Sequence, residues 1–124
     1  MHAALDISII NPLQAATVNR ASVEPGYALS YRHEQKLSKY GDRCLTEGIK
    51  FCPVICETTG AWHREAEQTL KRLGQALARA TGGDEKEVVS HMFGRLSVLL
   101  QRDNAMLLLN RIPTVTNPEV DGYL

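Results

Sequence analysis

Leu5, Ile7 and Ile9 alternate with Asp6, Ser8 and Ile10 near the start of the chain, and this period of two predicts a strand over residues 3–10. Asn11-Pro12 closes it, because proline brings no N–H to a ladder. Residues 13–26 are mainly small and polar and end at Pro25-Gly26, a turn signal. From Tyr27 to Glu47 the spacing changes to three and four, so that Leu29, His33, Leu37, Tyr40 and Cys44 share one face of a helix, and Gly48 stops it. Ile49–Glu57 reads as a second, mostly buried strand in which Pro53 points to a sheet edge or a bulge. Thr58-Thr59-Gly60 is the exit loop, and either threonine suits the cap of the next helix. That helix is expected over about residues 61–80, with Trp62, Ala66, Leu70, Leu73, Leu77 and Ala80 as its apolar stripe. Thr81-Gly82-Gly83 ends it. Asp84, with Glu87 three residues on, then opens a third helix that carries Val88, Met92, Leu96, Leu99, Leu100 and the apolar run Ala105–Leu109 and ends before Pro113.

The order strand–helix–strand–helix–helix predicts an α/β fold. Two strands joined by a helix pair in parallel through a right-handed crossover. A two-stranded sheet is marginal by itself, so the helices or further strands must complete it. With 124 residues the chain has the size of one domain. Residues 1–60 form its sheet-bearing core, 61–112 its helical remainder and 113–124 a tail.

Composition narrows the classes. A hydrophobic content of 44% is too high for intrinsic disorder. Fourteen Lys and Arg balance fourteen Asp and Glu, which disfavours a generic polybasic binder but leaves room for a local basic stripe. No apolar run approaches the roughly 20 residues of a membrane span. The start lacks the basic and apolar regions of a signal peptide, so an intracellular protein is expected. Cys44, Cys52 and Cys56 are odd in number and poorly spaced for structural zinc. On a strand Cys52 and Cys56 would lie about 13 Å apart, beyond the reach of a disulfide, so free, buried thiols are expected.

Three places could carry chemistry. Asp6 is an acid within an apolar strand; it reads either as an outward-facing residue beside Ser8 or as a carboxylate bound to a cation. Arg32, Lys36, Lys39 and Arg43 follow at offsets of four, three and four, along one stripe of the first helix. Such a stripe is either a solvated face or a track for phosphates, and Tyr40 beside it either packs in the core or contacts a phosphate. Glu57 ends the second strand, where ligands gather in parallel sheets, and otherwise reads as an acid favoured by a helix start. Trp62 reads as a core plug or a stacking platform, and His63 and His91 as surface or packing residues.

Taken in order, Asp6-Ile7-Ser8, Lys36-Leu37-Ser38-Lys39-Tyr40, Gly48-Ile49-Lys50-Phe51-Cys52-Pro53-Val54 and Gly60-Ala61-Trp62 resemble one family. It is the restriction-like endonuclease domain, of the PD-(D/E)XK fold, that follows the reverse transcriptase in some non-LTR retrotransposons. In that family a strand bears an acid and a threonine, here Asp6 with Ser8 in the threonine place. The catalytic lysine lies on the next helix in a K-x-x-K-Y pattern, which Lys36, Lys39 and Tyr40 match. The likeness covers roughly residues 3–62. It implies a partial restriction-endonuclease-like sheet followed by two helices, and a chain truncated at its N-terminus, because the family's proline-aspartate pair is missing upstream of Asp6.

The resemblance implies metal-assisted hydrolysis of a DNA phosphodiester. Asp6 would hold Mg²⁺, Lys36 would orient the attacking water, and Arg32, Lys39, Tyr40 and Arg43 would hold the DNA backbone. Glu57 is the first candidate to replace the missing acid. With one carboxylate the metal would bind weakly and cleavage would be impaired. The implied partners are DNA and, in an intact element, the upstream reverse-transcriptase region, with a nuclear site of action for an active retroelement. Two other classes stay open: a nucleic-acid-binding remnant that does not cut, and a helical interaction or oligomerisation module built on the third helix.

Overall fold

A computed structural model describes residues 2–112 of the chain. It is a mixed α/β structure. Strand β1 (His2–Ile10) is followed by a short helix α1 (Val18–Ala21), helix α2 (Tyr27–Thr46), strand β2 (Ile49–Glu57), and helices α3 (Arg64–Thr81) and α4 (Glu85–Arg111). The strands pair in parallel, with Asp6 beside Pro53 and Ile10 beside Glu57. The four-residue helix α1 lies within the stretch that the sequence pattern left without an element.

Hydrogen bonds at the end of β2 show how the proline is tolerated. Glu57 N–H donates to the Ala61 carbonyl and His63 N–H to the Ile55 carbonyl, so a short return segment closes the outer edge of β2. Residues 55 and 57 therefore turn their backbone groups outward, and by strand alternation Pro53 does the same. Its missing N–H faces away from β1 and costs the ladder nothing. The same alternation turns the backbone groups of Leu5, Ile7 and Ile9 to the outer edge of β1, which no strand of the described residues pairs with.

Helix α2 packs chiefly on β2 and only skirts β1. Ile10, Ala28, Leu29 and Ile55 form the core beneath it. Helix α3 packs on β2, where Val54 and Cys56 are also buried, and α4 packs on α3. Among the described residues β1 meets only β2 and α2. Its side chains Leu5, Ile7 and Ile9 accordingly remain 45%, 71% and 53% exposed. The covered face of β1 is the polar one, with Ala4, Asp6 and Ser8, which corrects the outward reading of Asp6.

Two helices are rotated or shifted from the sequence expectation. On α2 the covered stripe runs through Leu29, His33, Lys36 and Tyr40, and Leu37 is exposed. The apolar stripe therefore gives way to one that includes a lysine, because that lysine finds a partner on β1. Helix α3 starts at Arg64 and is capped by His63, not by a threonine. Its buried positions are Ala66, Gly74 and Ala78, while Leu73 and Leu77 are exposed. Small residues are needed there because α4 comes close: a Cβ on Gly74 would sit 2.8 Å from Val89 Cγ2. Helix α4 begins as the sequence predicts, with the Asp84 carboxylate accepting from Glu87 N–H at 3.0 Å. All three cysteines are free, Cys56 buried and Cys44 and Cys52 partly so.

Candidate functional site

The crossover from β1 through α2 to β2 lays the helix over β2 and along the margin of the polar face of β1. Lys36 reaches down from α2 and Asp6 up from the middle of β1, and Nζ lies 2.9 Å from Oδ2. The side chains are 21% and 31% exposed, so the pair sits at the rim of the helix–sheet contact. The resemblance puts these two residues in one site; they meet at mid-strand, four residues before Ile10 ends β1.

An aromatic floor supports the cations. The Tyr40 ring packs at 5.8 Å against Phe51 of β2, and Lys36 and Lys39 approach that ring at 5.6 and 5.2 Å. Tyr40 thus packs between α2 and the sheet and stiffens both lysine stems. Arg32 is half-buried beside them, and Lys39 and Arg43 are exposed. Arg43 makes an exposed contact of 3.5 Å with Glu47, one turn on, an interaction of little strength in water. A hollow bordered by Tyr31, Arg32, Lys36 and Lys39 belongs to α2 alone. Glu34, Gln35 and Ser38 also line it, so it is an open surface of mixed charge and not an enclosing pocket.

Glu57 does not join this group. It stands level with Ile10, four residues along from Asp6, which is about 13 Å at strand rise. Its Oε2 accepts from the Thr59 hydroxyl at 2.7 Å. Its carboxylate and, above all, burial push the Cys56 thiol up to about 11. Among the described residues no three His, Cys, Asp or Glu side chains converge as a metal centre. Mg²⁺ demands six oxygens and is held by carboxylates together with substrate phosphates. Asp6 supplies a single carboxylate, with one oxygen already facing Lys36, so the residues present do not build a resident Mg²⁺ site.

Trp62 sits edge-on to Phe93 of α4, with ring centroids 6.3 Å apart, and is a packing residue. His91 is exposed on α4. His63 is more than packing: its ring stacks on His33 of α2 with centroids 4.0 Å apart and planes 7° from parallel. Nothing in the spacing of residues 33 and 63 announces this contact, since histidine is not among the favoured capping residues and the two lie on separate elements. No helix of the described residues is long and apolar enough to cross a membrane. No protein-family model matches the chain, and no curated protein or solved structure shows significant similarity to it.

Proposed function

We propose that this chain holds the phosphate backbone of DNA along α2, and that Asp6 and Lys36 are part of a restriction-like endonuclease site whose hydrolytic activity is impaired here. One observation carries the reading: a lysine on the crossover helix meets an acid on the first strand at 2.9 Å. The retroelement endonuclease domain that the sequence resembles calls for the same pairing. Because Lys36 is neutralised by Asp6, the free positive charge of the face comes from Arg32, Lys39 and Arg43. These give sequence-independent attraction to phosphates. Mg²⁺ would reach Asp6 only weakly, alongside phosphate oxygens of the bound strand, and so the chain binds DNA without efficient cleavage. In an intact element the reverse-transcriptase region would be its neighbour.

The exposed apolar residues Met106, Leu107, Leu108 and Leu109 at the end of α4 favour a second reading, a helical association module. One experiment separates the two. Purified chain is incubated with plasmid DNA and with Mg²⁺ or Mn²⁺, beside an Asp6→Ala control, and its binding and solution mass are followed. The proposal expects salt-sensitive binding that Mg²⁺ leaves unchanged, with little or no nicking. Robust nicking abolished by Asp6→Ala would contradict the impaired site. Absence of binding at low salt, with a mass that rises with concentration, would favour the association module.

A further inference from the structure

His33 and His63 stand apart from the Asp6–Lys36 pair, at a junction of three elements. His33 projects from α2 and is only 6% exposed. Its Nε2 lies 3.1 Å from Glu65 Oε2 in the first turn of α3, and its Nδ1 is buried without a hydrogen-bond partner. His63 caps α3: its Nδ1 accepts from Glu65 N–H at 3.1 Å, while its own backbone N–H donates to the Ile55 carbonyl of β2 at 2.9 Å. The stacked rings thus tie α2, β2 and the start of α3 together.

This arrangement has one required protonation state at His63. Accepting from Glu65 N–H leaves Nδ1 without a proton. A proton added there would face that same N–H, donor against donor, and the cap would be lost. The resulting positive charge would also oppose the dipole at the N-terminus of the helix. We infer that the His33–His63 stack is an acid-released latch, in which protonation of His63 uncaps α3 and loosens its first turn.

The surrounding groups support this. Burial first, and then the neighbouring His33, hold His63 below its usual value of 6.5, and Glu65 acts in the opposite direction. From β2 the ring's segment meets the Ile55 carbonyl, with the Cys56 thiol beyond it, which at about 11 stays neutral throughout. Arg64, next in the chain, is exposed. A lowered value means that the released state binds the proton more readily. The latch is therefore at full strength above about pH 6.5 and weakens as the pH falls through that value.

The test uses the isotopically labelled full chain and its His63→Asn variant, titrated from pH 8 to 5 by NMR with amide exchange. Asparagine caps a helix well and does not titrate, so the variant keeps the fold and removes the switch. In the natural chain His63 should titrate below 6.5. Protection of the Glu65 amide, corrected for intrinsic exchange, should fall about fivefold between pH 7.5 and 5, the factor expected for a lost cap. His63→Asn should keep its protection over the same range. Titration of His63 at or above 6.5, or an equal loss in the variant, would overturn the latch.

Discussion

Ile7 and Ile55 are the same residue type on neighbouring strands, in opposite surroundings. Ile55 is 0% exposed under α2, whereas Ile7 is 71% exposed on the bare face of β1. Ile55→Ala should therefore cost about 2–5 kcal/mol, the cost of a cavity in a packed core. Ile7→Thr, which keeps a branched side chain suited to a strand, should fall within about 0.5 kcal/mol of the natural chain. Urea unfolding of the two variants checks this, and comparable losses would show that something covers the free face of β1. The same comparison explains what the sequence concealed at this scale. Alternation marks Leu5, Ile7 and Ile9 as one face of a strand, but which face is covered depends on where α2 and α3 come to rest. Asp6 was legible as an acid out of place in an apolar strand. That Lys36, thirty residues on, shares its site was legible from the strand–helix–strand order and the resemblance, but its place along the strand and the rotation of the helix that brings it there were not. Nothing in the local pattern marked His63 as a cap.

Among the elements, the contact between α3 and α4 sets the sharpest requirement. Gly74 lets the helices approach so closely that an added Cβ would lie 2.8 Å from Val89 Cγ2 and 3.3 Å from the Val89 Cα. Gly74→Ala raises helix propensity by about 1 kcal/mol, but overpacking against a branched side chain and backbone costs about 1–3 kcal/mol. The net expectation is a loss of about 1 kcal/mol and a fall in Tm of about 4 °C, measured by thermal unfolding. A rise in Tm would mean that the helices separate without cost. Element order and most boundaries were legible from period, proline and glycine, and the Asp84 cap from its spacing to Glu87. The phase of α3 was not. Leucines at residues 73 and 77 suggested the buried stripe, yet close packing selected Gly74 and Ala78. The short α1 escaped notice because four residues carry too little periodic signal.

At the scale of the molecule, two parallel strands with helices packed on β2 leave, among the described residues, the outer edge of β1 and the far end of α4 uncovered. An α/β class follows from the order of the elements alone, and the parallel pairing agrees with it. The cationic face of α2 was also legible as a run of offsets. Its working charge was not, because one of its four cations is committed to Asp6. That difference allows a direct test of the proposed DNA-binding role. Binding of a short duplex should be followed against salt for the natural chain and for Asp6→Asn. The log–log slope scales at about −0.9 per phosphate contact, so three free cations give about −2.7. Asp6→Asn releases Lys36 to a fourth contact, and the slope should steepen to about −3.6 with tighter binding at low salt. An unchanged slope, or binding lost on removal of Asp6, would contradict the account.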